Sequence, residues 1–147
     1  MSIAFRQIQC DTPDHAAMLD LRARILRRPI GLTITPEEIA HDKGDYLLGG
    51  FDGDRIVACL ILQKCDGGWV KMRQVAVDED FQGRGIGAQM LAAADAVLRG
   101  WGGVRLYCHA RETARAFYLR NGWSVTGDSF DEKGIPHCRM EFILDKA

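Results

Sequence analysis

The stretch Val70-Lys71-Met72-Arg73-Gln74-Val75-Ala76-Val77, followed after Asp78-Glu79-Asp80-Phe81 by Gln82-Gly83-Arg84-Gly85-Ile86-Gly87-Ala88, decides the fold. Its first part is rich in β-branched residues and reads as a strand. Its last part opens a run in which Ile86, Met90, Ala94, Val97, Leu98 and Trp101 recur at helical spacing, as one buried stripe requires. A strand that feeds a glycine-rich turn and then a helix is a phosphate-binding device. Glycines let successive backbone N–H groups converge on an anion, and the unpaired amides of the first helical turn add partial positive charge. Arg84, inside the turn, offers a guanidinium to a phosphate.

Three kinds of glycine-rich loop compete for this stretch. A P-loop needs a Lys-Ser or Lys-Thr pair after its last glycine, and none follows here. The dinucleotide fingerprint G-x-G-x-x-G/A is met by Gly83 to Ala88, but its context is wrong. Asp78 to Gln82 separates the glycines from the strand, and the next strand, Val104 to Cys108, ends at His109 where an acid should meet a ribose.

The third pattern, Gln/Arg-x-x-Gly-x-Gly/Ala, is met by Gln82, Gly85 and Gly87, and with it the chain resembles the GNAT acetyltransferases. A second motif of that superfamily, A-x-x-F-Y-x-x-x-G-F, is matched by Ala114 to Trp123, with Trp123 in the last place. Gly134-Ile135-Pro136-His137 with Met140 is similar to the terminal hairpin of an ElaA-type branch. Arg28-Pro29-Ile30-Gly31-Leu32 and Thr35-Pro36-Glu37-Glu38 are similar to its first helices. The resemblance implies one α/β domain over residues 1–147 with a mixed, mostly antiparallel sheet of about seven strands. That sheet would be splayed between two central parallel strands and flanked by about four helices. It also implies acetyl-CoA as co-substrate, with Val75, Ala76 and Val77 along the pantetheine arm and Gln82, Gly83, Arg84, Gly85, Ile86, Gly87 and Ala88 around the pyrophosphate.

The residues of the strand carry a detail of their own. Val70 and Met72 share a face by period two, as do Val75 and Val77, but the interval from Met72 to Val75 is odd. Either a bulge near Arg73-Gln74 brings all four to one face, or the strand is buried on both. The resemblance implies the bulge, which splays the parallel strands.

The acetyl transfer implied is a direct attack by a primary amine in a ternary complex. A phenol close to the sulfur can donate to the departing thiolate, and Tyr118, which also lines the cofactor by this resemblance, matches that position. The plainer reading of Tyr118 is a core aromatic beside Phe117. The base is less legible, since Arg73 and Gln74 stand where the superfamily often places a glutamate or a held water. His109 is the candidate, His137 the second, and either could be structural. Arg111 occupies a position where many relatives carry a pantetheine-binding asparagine. A different class of function stays open, a GNAT fold that senses acyl-CoA or serves as an interaction module, without turnover.

Composition sets limits. A chain of 147 residues with net charge −1 has no field favouring nucleic acid or an anionic membrane. Its longest apolar run, Ile56 to Leu62, is far short of a membrane span. The first residues lack the basic start and apolar core of a leader peptide, so the cytoplasm is the expected compartment. Five cysteines without a C-x-x-C pair, and four histidines without ligand spacing, point to reduced thiols and no metal. The expected partner is a small-molecule or peptide amine, and a homodimer is admitted. Arg22, Arg24, Arg27 and Arg28 face Glu37, Glu38, Asp42, Asp131 and Glu132 across the expected acceptor site, unless the arginines form a solvated helix face.

Overall fold

The computed structural model describes residues 2–102 and 104–144. Its frame is one sheet of seven strands: β1 (Ala4–Ile8), β2 (Tyr46–Asp52), β3 (Arg55–Lys64), β4 (Trp69–Val77), β5 (Val104–Arg111), β6 (Ser124–Glu132) and β7 (Ile135–Leu144). They lie in the order β1-β2-β3-β4-β5-β7-β6. Every neighbouring pair is antiparallel except β4 and β5, which the helical crossover between them makes parallel. Four α-helices flank the sheet: α1 (Pro13–Arg22), α2 (Pro36–His41), α3 (Ile86–Arg99) and α4 (Arg115–Arg120). Two expected features, Gly103 in the turn after α3 and Asp145 at the end of the last strand, lie outside the described residues.

The odd interval in β4 is a bulge. Ile61 faces Arg73 and Cys59 faces Ala76, so two steps along β3 span three along β4. Gln74 absorbs the extra residue with φ 54, a left-handed backbone that side chains other than glycine seldom adopt. With the bulge in place, Val70, Met72, Val75 and Val77 all pack on the core beneath α3. The parallel ladder from β4 to β5 covers only Trp69 to Lys71 against Arg105 to Tyr107. Beyond it the strands part, and the parting is the floor of a cleft.

Two cores hold the sheet. The larger joins Met90, Leu91, Ala94 and Leu98 of α3 with Leu106 and Cys108 of β5, Tyr118 of α4 and Trp123. The smaller lies under α1, where Met18 and Leu21 meet Leu47, Phe51, Cys59, Ile61 and Ala76. In β3 every residue from Ile56 to Leu62 is buried because both faces are covered.

The helix termini follow the sequence. Thr12 caps α1 by accepting from the His15 N–H at 3.2 Å, and Pro13 fills the first turn. A wider π-helical turn, Ala23–Arg27, and a tight turn, Arg28–Ile30, lead to Gly31 at φ 73, where the chain leaves the helix. Thr35 and Glu38 form a reciprocal capping box on α2. The four arginines of the first helical segment do not form one face. Arg22 is fully buried, donating to Asp42 at 2.7 Å, while His15 Nε2 sits 2.9 Å from the same oxygen. Arg27 is buried on Glu38, whereas Arg24 and Arg28 pair with Asp20 near the surface. Arg22 and Asp42 therefore clamp α1 to the turn after α2 and take no part in an acceptor wall.

Candidate active site

The parting of β4 and β5 opens a cleft of about 750 Å³. Val75–Val77, Gln82, Gly83, Gly85, Ile86, Gly87, Ala88, His109 and Tyr118 all line it, so one cavity gathers the expected residues with a single exception. Arg84 is not among its walls. Its guanidinium lies 5.2 Å from the centre of the Phe81 ring.

One end is the glycine turn. Asp78, buried at the end of β4, accepts from the Asp80 N–H at 3.0 Å and from Arg55 and Arg24 at 3.2 and 3.3 Å. Burial alone would raise its pKa, but these donors outweigh it and hold the carboxyl below its ordinary value. Gln82 Nε2 donates to the Val77 carbonyl at 2.9 Å and folds the turn back on the strand. Gly83 and Gly85 both have φ 77, and no other atom lies within 4 Å of where a Cβ would stand on either. The turn is thus an open cradle, with the first amides of α3 at its back. Gly87 has a different reason: a Cβ there would come within 3.0 Å of the Phe117 ring, so this glycine lets α3 and α4 close. The cradle suits a phosphate, and the unladdered edge of Val75–Val77 suits an arm with amides of its own. The residues fit the co-substrate that the sequence implies.

The middle of the cleft carries Tyr118. Its ring is wedged edge-on between Phe117 and Trp123, at centroid distances of 5.2 and 5.3 Å, and it is 4% exposed. It is a core aromatic that also lines the cleft. Its phenol neighbours the Cys108 thiol. Burial first, then that thiol, pushes the phenol well above the ordinary tyrosine range, and burial pushes Cys108 to about 12. Both groups keep their protons near neutrality, so Tyr118 is a donor.

The far end is built on His109 of β5. Its Nδ1 is 2.9 Å from Glu132 Oε1, at the end of β6. Burial raises the Glu132 pKa, but the bond to His109 and the neighbouring charges of His109, His137 and Lys71 bring it below the ordinary value. An ionised carboxylate can only accept, so Nδ1 carries the hydrogen and Nε2 is the basic nitrogen. His137 donates from Nδ1 to the Ile135 carbonyl at 2.7 Å and places Nε2 3.6 Å from Glu132 Oε2. Phe130 meets the His109 ring edge-on at 5.0 Å and stacks on His137 at 6.0 Å. Glu132 is the residue that sequence reasoning missed as a partner; its one signal was its place among the acids of the terminal hairpin.

Arg111, where the resemblance would lead one to an asparagine, is engaged within the protein. Its guanidinium donates to the Leu26 carbonyl at 2.7 Å, tying the end of β5 to the π-helical turn. Arg73 is likewise engaged, donating to Asp45 at 2.9 Å. Gln74, on the bulge, turns its Oε1 into a buried position without a partner. Among the described residues no cluster of side chains could hold a metal, and no helix is long and apolar enough to cross a membrane.

The family profile of the acetyltransferase (GNAT) domain matches residues 33–144. The chain is 27% identical over 122 residues to the N-acetyltransferase YitI of Bacillus subtilis, covering 79% of this chain and 82% of that one. A Lactobacillus plantarum protein assigned as an N-acetyltransferase superposes with a TM-score of 0.80 at 25% identity, over 96% of this chain and 99% of its own. Escherichia coli ElaA superposes with a TM-score of 0.78 at 22% identity, over 95% and 99% of the two chains. The chain belongs to the GNAT acetyltransferase family.

Proposed function

We propose that this GNAT acetyltransferase carries an acetyl group from acetyl-CoA to a primary amine by direct attack in a ternary complex. The observation that supports the reading is the order of parts along one cleft: an open glycine cradle, a buried phenol, and a histidine oriented by a carboxylate.

Gly83 and Gly85, with the first amides of α3 at Ile86, Gly87 and Ala88, would hold the pyrophosphate, with Arg84 beside them. Gln82 keeps that turn in shape through Val77. Val75, Ala76 and Val77 would hold the pantetheine arm. The bound co-substrate supplies an activated acyl carbon on a thiol leaving group.

His109 takes the proton that the amine sheds, on Nε2, while Glu132 fixes the tautomer and stabilises the imidazolium. Tyr118 donates a hydrogen bond to the departing sulfur. Burial keeps the proton on the phenol, so Tyr118 stabilises the departing thiolate by the hydrogen bond it donates. The oriented base favours turnover over mere sensing, because a sensor has no use for one.

The test is thiol release from acetyl-CoA across a panel of amines. Release that depends on the amine supports the reading. Tight acyl-CoA binding with no release for any amine would assign the chain to the sensor class.

A further inference from the structure

Continuous with the His109 end of the cleft lies a side chamber of about 270 Å³, which shares most of its walls with the cleft and adds Glu38 and Lys71. It lies at the small end of ligand sites, the scale of a single metabolite. Its lining holds four cations, Arg27, Lys71, Arg73 and Lys133, and two acids, Glu38 and Glu132.

Most of those charges answer one another. Arg27 grips Glu38 through both guanidinium ends. Arg73 is held by Asp45, which stands behind the lining. Glu132 is shared by two imidazoles. Lys71 and Lys133 remain, and neither forms an ion pair among the described residues. Lys71 lies 5.9 Å from the centre of the Tyr107 ring and close enough to Glu132 to act on its charge. Lys133 acts likewise on Glu38. The chamber therefore keeps an excess of positive charge beside the proposed base.

The Arg73 Nε–H and the Gln74 Oε1 add nothing to this balance, because both are buried out of reach of solvent. A plain alkylamine would leave the ammoniums of Lys71 and Lys133 without a counter-charge, and a polyamine would add positive charge to positive charge. A molecule with an amine at one end and a carboxylate at the other answers both lysines and places its nitrogen beside His109.

We infer that the acceptor is a small amino carboxylate, its amine beside His109 and its carboxylate held by Lys71 and Lys133. This rests on the acetyl-transfer reading. The positive surroundings also favour the free-base form of the amine, which is the form that attacks.

A matched acceptor series tests this: leucine, leucinamide, isopentylamine, the aminophosphonate analogue of leucine, a Leu-Gly dipeptide and spermidine, each with acetyl-CoA. The kcat/KM for leucine should exceed that for leucinamide and isopentylamine by about tenfold or more, the scale of one charge-assisted contact. Lys71→Gln and Lys133→Gln should each shrink that ratio, and Lys71→Arg should restore part of it. Calorimetric titration of the protein alone with leucine gives a reading that needs no turnover. Binding should be weaker for leucinamide and should weaken with added salt. Equal use of leucine and isopentylamine, or a preference for spermidine, the dipeptide or the aminophosphonate, would overturn the assignment. Leucine binding of the expected kind with no thiol release for any acceptor would sink the acetyl-transfer reading and uphold the recognition.

Discussion

His109 Nδ1 stands 2.9 Å from Glu132 Oε1, and the two side chains meet although β7 lies between β5 and β6 in the sheet. His109 faces Arg139 across one ladder, and Phe130 faces His137 across the next. The turn at Lys133 and Gly134 then carries Glu132 over the β5 end. A histidine whose Nδ1 is taken by a carboxylate has its basic nitrogen defined before any substrate arrives.

Substitutions at this pair should separate proton transfer from packing. His109→Gln should slow acetyl transfer by roughly 10²-fold or more, the usual range for a lost general base. Glu132→Gln keeps an acceptor for Nδ1–H but loses the charge, so the loss should be smaller, roughly tenfold. Glu132→Ala loses both and should approach His109→Gln. Pre-steady-state rates over a pH series are the measurement. A Glu132→Ala enzyme as fast as the parent would remove the pair from the chemistry.

Much of this was legible in the sequence, for local reasons. The odd step from Met72 to Val75 left either a bulge or burial on both faces, and Gln74 makes it the bulge. Thr35 and Glu38 announced the capping box that caps α2. Asn121-Gly122 announced the end of α4, where Gly122 takes φ 87 and the Trp123 N–H closes on the Tyr118 carbonyl at 3.0 Å. What stayed hidden depends on register between distant segments. Neither the burial of Arg22 on Asp42 nor the engagement of Arg111 by Leu26 has a periodic signature. The same holds for His109 and Glu132, 23 residues apart. The role of Gly87 was half legible: its place in the motif was plain, but the Phe117 ring that needs its bare Cα was not.

The cradle gives a prediction about binding alone. CoA should raise the melting temperature by mass action, and NAD or ATP should not. Gly85→Asp should abolish the CoA shift, because a carboxylate would occupy the anion's place. The fold should survive, since the Cβ position at Gly85 is open and aspartate tolerates a left-handed backbone better than most residues. Gly87→Val is the poorer probe, because it also strikes Phe117. A CoA shift unchanged in Gly85→Asp would refute the cradle as the anion site.

Glu38 links the acceptor side of the molecule to acid stability. The hydrogen bond from Arg27 is the leading cause that holds its pKa at about 2. A carboxyl with a depressed folded pKa stabilises the fold fully above its unfolded pKa, ~4.3 for glutamate. That contribution fades as pH falls from there through the folded value. Glu38→Gln can keep the capping box but loses the charge against buried Arg27. At neutral pH the variant should be less stable by roughly 1–3 kcal/mol. The gap should close as pH falls between ~4.3 and the folded pKa. Melting curves at pH 7, 4 and 2.5 measure it, and a gap that stays constant with pH would contradict the linkage.

Tyr118→Phe separates the phenol's chemistry from its packing. The ring fills the space between Phe117 and Trp123, and phenylalanine keeps those contacts. Only the hydroxyl beside the Cys108 thiol is lost, so the melting temperature should move by a few degrees at most, as expected for about 1 kcal/mol. CoA affinity should hold, because the glycine turn and the edge of β4 are untouched. If the hydroxyl donates to the departing sulfur, single-turnover acetyl transfer should slow by roughly 10²-fold or more. Steady-state turnover is the wrong readout, since slow product release could mask the chemical step. A poorer thiol leaving group should widen the difference between parent and variant, and a better one should narrow it. A purely structural tyrosine would leave that dependence on the leaving group unchanged, and equal single-turnover rates would take Tyr118 out of the mechanism.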